Sequence, residues 1–217
     1  MLTNRIVQSI THKRNQLSDK PCLLTTITGI DGSGKTFLSK QVVEELRQQG
    51  LNAILLHLDE WHNPAHIRFS ESNPAENFYR QGLRFDELFE LLVLPLKRHR
   101  ALHLEVELLR VPEETTYQHT YDFADVEIIL LEGIFMLQKK FREHFDWSVW
   151  IDCSFETALE RALERNQEHL SQADIIRDYH RIYFPAQQIH FERDAPRAFA
   201  DEIIPNDHRL ISGDNAR

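Results

Sequence analysis

Gly29-Ile30-Asp31-Gly32-Ser33-Gly34-Lys35-Thr36 carries glycines at its first and sixth places, then lysine and threonine: the G-x-x-x-x-G-K-[ST] spacing of a phosphate-binding loop. Glycines let such a loop curl so that successive backbone N–H groups point inward as an anion nest. A helix starting near Lys35 adds the positive end of its dipole. The Lys35 ammonium can reach the β- and γ-phosphates of a nucleotide, and the Thr36 hydroxyl can ligate Mg²⁺. The expected nucleotide-binding set is Gly29, Asp31, Gly32, Ser33, Gly34, Lys35 and Thr36, with Asp31 and Ser33 shaping the loop. Further carboxylates, Asp59 and Glu132, each follow an apolar run. Phosphoryl transfer needs positioning, a metal and a base for the hydroxyl proton. Asp59 is the expected base, also reaching Mg²⁺ through water. Glu132 is a second metal-side acid, in keeping with the waters that Mg²⁺ retains. Arg165, four residues after Arg161, is placed to stabilise charge on the transferring phosphoryl group; Arg161 is the weaker candidate.

These residues need elements to hold them. Leu23-Leu24-Thr25-Thr26-Ile27-Thr28 reads as a buried strand, and Phe37 to Gln49, with Leu38, Val42 and Leu46 four apart, reads as a helix stopped by Gly50. Further strands are expected at 51–59, 125–131, 148–153 and 201–204. Helices are expected at 4–17, at 85–100 with Leu88, Leu91, Leu92 and Leu96 buried, at 135–145, at 155–165, and from 173 to about 184 behind a Ser171 cap. The polar 60–79 stretch reads as a long functional loop or short-helix excursion, and 103–111 as strands of a small flap. Strands alternating with helices predict an α/β fold: three layers, a parallel sheet with helices on both faces. Ligands bind such sheets at the carboxyl ends of the strands, where Asp59 and Glu132 stand.

The 217 residues suit one domain, with 1–19 as an N-terminal helix, 60–123 as an acceptor-binding and flap region, and 161–172 as a lid. A net charge of −9 gives no basic footprint for nucleic acid. The first 18 residues are polar, and the longest apolar stretch is too short to span a bilayer, so no signal peptide and no membrane partner are expected. Cys22 and Cys153 read as reduced thiols of a cytoplasmic protein. The twelve histidines show no zinc-site spacing with a third ligand.

Several segments together resemble the phosphoribulokinase/uridine kinase family. They are the 29–36 loop, Leu58-Asp59-Glu60-Trp61-His62-Asn63-Pro64, Leu131-Glu132-Gly133-Ile134-Phe135, the helix Ala158 to Arg165, and Tyr183-Phe184-Pro185 through Ala200-Asp201. The likeness covers roughly 20–207. It implies a P-loop kinase that uses Mg²⁺ to move the γ-phosphate of ATP or GTP to a hydroxyl of a small molecule, foremost a nucleoside such as uridine or cytidine. A vitamin-like alcohol, a sugar, a nucleoside monophosphate, or a non-kinase ATP-binding regulator are the alternatives. By position Asp59 is then the catalytic acid, and Thr36 and Glu132 lie on the metal side. Trp61, His62, Arg68, Tyr79, Arg84 and Phe85 are expected around the acceptor. A homo-oligomer is left open.

Overall fold

Residues 23–28 are apolar or β-branched throughout because both faces of their strand are covered. In the computed structural model, which describes residues 2–17, 22–165 and 170–211, strand β1 (Leu23–Gly29) is buried along its whole length. It sits at the centre of a five-stranded sheet with β2 (Ala53–His57), β5 (Ile128–Gly133), β6 (Trp147–Asp152) and β7 (Glu202–Pro205), in the order β2-β5-β1-β6-β7. Every pairing is parallel. A separate antiparallel hairpin joins β3 (Leu102–Arg110) to β4 (Thr115–Phe123).

Side chains alternate between the two layers, as the period of a strand dictates. Leu23, Ile27, Ile128 and Leu130 pack beneath helix α1 (Leu2–Asn15) and helix α2 (Lys35–Gln48), meeting Ile6, Ile10, Leu38, Val42 and Leu46. Their neighbours Leu24, Ile129 and Leu131 face the other way, onto Phe78, Leu88, Phe89, Leu92, Leu96 and Phe135. A third cluster gathers around Trp150, with Ala158, Ala162, Tyr179 and Phe184. The chain leaves β1 for β2 on one side of the sheet and reaches β6 on the other, so a crevice opens at the carboxyl end of β1.

Three expectations are corrected. No regular helix spans 135–145; the chain takes tight turns there, with one 3₁₀ turn at Arg142–His144. The second strand stops at His57, so Asp59 lies in a 3₁₀ turn, Leu58–Glu60, just beyond it. Leu91 is exposed rather than buried. The 85–99 helix is π-helical over Leu88–Val93, and each wide turn rotates later side chains off the 3.6-residue stripe. The wide turns precede Pro95, whose ring and missing N–H disfavour a tight helical turn. The same device recurs at Tyr179–Tyr183, ahead of Pro185. The Gln172–Asp178 helix begins at Ser171, whose hydroxyl accepts from the Asp174 amide as expected. Cys22 and Cys153 are free; burial pushes their thiols up to about 12 and about 11, so neither is a thiolate at neutral pH.

Candidate active site

The phosphate loop runs from the end of β1 into α2, and its curl depends on glycine. Gly32 and Gly34 have φ of +74° and +88°. A Cβ at Gly34 would sit 2.5 Å from Asn206 Nδ2, and one at Gly32 would sit 2.6 Å from the Ala158 carbonyl oxygen. The loop is tied from behind. Asn206 donates to the Ser33 carbonyl at 2.8 Å, and Arg161 donates to the Gly32 carbonyl at 3.2 Å and the Asn206 carbonyl at 2.9 Å. Arg161, expected as a weaker phosphate ligand, is thus spent on the loop backbone. Lys35 is 3% exposed and makes no hydrogen bond or ion pair to a described residue. A buried ammonium held among carboxylates, without a direct partner, fits a bound polyphosphate.

Asp59 and Glu132 converge beside this loop. Glu132 lies on β5 in register with His57 of β2 and Ile27 of β1. It is 1% exposed and is held by two neighbours. His57 Nδ1 is 2.6 Å from Oε1, and the Thr36 hydroxyl is 3.2 Å from each carboxylate oxygen. Thr36 and Glu132 therefore meet as expected, and with Asp59 they form an oxygen-only set of the kind Mg²⁺ takes, with water completing its shell. Asp59 is exposed to the cleft, whose walls thin the water around its carboxyl. That desolvation, with the charge of Glu132, pushes its carboxyl above the ordinary range against the pull of Lys35.

His57 was not anticipated; its only signal was its place beside the acid at the ends of neighbouring strands. The hydrogen bond to Glu132 raises its pKa against partial burial. A raised histidine contributes stability that is full below the ordinary value near 6.5 and is lost as pH climbs through the raised one. The urea midpoint of His57→Gln should therefore fall well below wild type at pH 6 and approach it at pH 9. An equal gap at both pH values would show that the pair is not ionic.

Arg165 ends the Phe155–Arg165 helix, with Nη2 3.4 Å from Asp31 Oδ2. Tyr179, on the second π-helical stretch, donates its hydroxyl to the same oxygen. Burial alone would raise the Asp31 carboxyl, but Lys35, Arg165 and Tyr179 overcome it and hold the group below the ordinary range. The expected lid, 161–172, includes residues 166–169, which lie outside the described residues.

A cleft of about 640 Å³ leads away from Asp31 and Asp59. Its apolar wall includes Phe78, Leu109, Tyr117, Ile134 and Tyr183. His62 and Arg68 line it as expected. His62 donates Nδ1–H to the Asp59 carbonyl at 2.6 Å, and burial keeps its ring neutral, which leaves Nε2 an acceptor. Arg68 is 5% exposed and pairs with Glu114 of the hairpin, which also accepts from the Ala65 amide.

Four other expected acceptor residues do not face this cleft. Trp61 is fully buried, stacked on Tyr121 at 6.3 Å with Arg84 over its ring. Arg84 itself is bound by Glu87 and by the Glu107 carbonyl. Phe85 is buried against Phe141. Tyr79 donates to Asp194 at 2.6 Å, in a knot with His190. Proximity in sequence to Asp59 suggested these residues, but the helix they lead into turns them toward the core. In their place the hairpin supplies Arg110 and Tyr117, with the arginine over the tyrosine ring.

Comparisons with known proteins agree with this geometry. The family model described as phosphoribulokinase/uridine kinase matches residues 24–173. A Staphylococcus haemolyticus protein named uridine kinase is 30% identical over 189 residues, covering 83% of this chain and 87% of that one. One from Staphylococcus aureus is 29% identical over the same shares of both chains. A solved structure described as a possible uridine kinase from Bacillus stearothermophilus superposes with a TM-score of 0.73 at 23% identity, covering 94% of this chain and all of that one.

Proposed function

This chain belongs to the phosphoribulokinase/uridine kinase family, a family of P-loop kinases, and from that premise we propose that it transfers the γ-phosphate of ATP or GTP to a hydroxyl of a nucleoside such as uridine or cytidine. The observation that carries this reading is the placement of Asp59. It stands between the charge of Lys35 and the open cleft, where an acceptor hydroxyl would meet the end of a bound polyphosphate.

Each residue then has a task. The loop amides and Lys35 bind and orient the β- and γ-phosphates. Thr36 and Glu132 would hold Mg²⁺, which when bound would supply neutralising charge for the phosphate oxygens. Asp59 accepts the proton of the attacking hydroxyl; its raised pKa brings it nearer the operating pH of a base. Arg165, exposed at the mouth and paired with Asp31, adds positive charge beside the phosphoryl group as charge spreads over its oxygens. A flat base fits between the aromatic walls, with the neutral His62 Nε2 as a partner for its N–H.

ADP release from Mg·ATP, measured with uridine, cytidine, other nucleosides, pantothenate and simple sugars, tests the reading. A rise of tenfold or more over the acceptor-free rate with uridine or cytidine is expected, on the order of what positioning a hydroxyl beside a base provides. A rise only with a sugar or pantothenate would move the acceptor class. No rise with any of them, beside measurable ATP binding, would favour a nucleotide-binding regulator.

A further inference from the structure

Asp31 does more than a loop-shaping residue requires. It lines the acceptor cleft together with Asp59, Glu60 and His62, and its side chain is 29% exposed there. Its orientation is fixed from behind. Tyr179, 5% exposed, and Arg165 both reach Oδ2, while Oδ1 makes no side-chain hydrogen bond among the described residues. The charges of Lys35 and Arg165 keep the group ionised, and its own charge is felt at Asp59.

A fixed carboxylate therefore faces the cleft close to the group that takes the acceptor's proton. Arg165 already balances its charge, so a cationic ligand would gain little there. A neutral donor gains a full charge-assisted hydrogen bond. Two carboxylates so placed suit a molecule with two hydroxyls, one reacting at Asp59 and one that stays. We propose that Asp31 holds a second, non-reacting hydroxyl of the acceptor, so that the substrates are polyhydroxy compounds, such as nucleosides with an intact ribose, rather than monohydroxy alcohols. The inference rests on the kinase reading above and names the substrate class of the same site. Tyr179 is then a positioning residue, acting through Asp31.

The test takes the panel acceptor with the highest kcat/KM and its analogues that each lack one hydroxyl; for uridine these are 2′-deoxyuridine and 3′-deoxyuridine. Each is assayed with wild type, Asp31→Asn and Tyr179→Phe, and ATP affinity is measured by direct binding. Wild type should lose about tenfold or more in kcat/KM with one analogue, mainly through KM, as expected for a hydrogen bond to a charged group. Asp31→Asn should no longer distinguish that analogue from the parent acceptor. Tyr179→Phe, which keeps the carboxylate but frees it, should discriminate less than wild type. If Asp31→Asn slows every acceptor equally and keeps the wild-type discrimination, the proposal is overturned and Asp31 only holds Arg165. A preferred acceptor with a single hydroxyl overturns it as well. No turnover with any acceptor, beside intact ATP binding, removes the kinase reading itself and this inference with it, whereas turnover with unaltered discrimination removes this inference alone.

Discussion

Asp59→Asn should lower kcat by about 10²–10⁴-fold while leaving ATP affinity nearly unchanged, the loss expected when a positioned base is replaced by an isostere that cannot accept a proton. The nucleotide side of the proposed site would be built from the loop amides, Lys35 and Thr36, none of which hydrogen-bonds the Asp59 carboxylate among the described residues. The pH profile gives a second readout. Only ionised Asp59 can take the hydroxyl proton, so wild-type kcat/KM is present above its pKa and falls as pH drops through it. Partial desolvation in the cleft and the charge of Glu132 place that limb above the ordinary carboxylate value near 3.9, and Asp59→Asn should lack it. Stability should move the other way. A carboxyl raised in the folded state makes its ionised form a cost of folding above pH about 4. The variant should therefore melt no lower than wild type at pH 7, which separates chemistry from misfolding. Intact turnover in this variant would remove Asp59 from the mechanism.

Lys35→Ala should cost about 10²–10³-fold in kcat/KM, on the scale of losing one preorganised charge-stabilising group, with KM for ATP raised and kcat lowered together. The lysine is 3% exposed and makes no ion pair to a described residue, which suits the phosphate-binding role proposed for its ammonium. Removing it also leaves Asp31 and Asp59 without the cation that lowers both, so Asp59 shifts further upward and the acid limb of any residual activity should move to higher pH. Lys35→Arg should not restore the rate, because a planar guanidinium cannot occupy the space of a compact ammonium at the base of the loop. Calorimetric titration with ATP and steady-state rates across pH check both statements. Wild-type ATP affinity in Lys35→Ala would count against the loop as the nucleotide site.

The residues of the chain determined the sheet and the nucleotide side of the site by themselves. The unbroken apolar runs at 23–28 and 128–131 require cover on both faces. The glycine spacing of 29–36 requires a tight turn at a helix start, and acids at strand ends fall at the carboxyl edge of a parallel sheet. These are local or near-periodic constraints, and the structure places Lys35, Thr36, Asp59 and Glu132 together accordingly.

The acceptor side was decided only in the tertiary structure. Whether Trp61, Tyr79, Arg84 and Phe85 face the cleft or the core depends on how the 58–87 excursion packs under the β3–β4 hairpin, a contact between segments far apart in sequence. The pairing of Tyr179 with Asp31 spans 148 residues and relies on a π-helical stretch that no 3.6-residue periodicity reveals. His57 became part of the site because the register of β2 against β5 sets it opposite Glu132. Periodicity tells which side of an element is apolar; the choice of partners across the cleft belongs to long-range packing, and with it the choice of substrate.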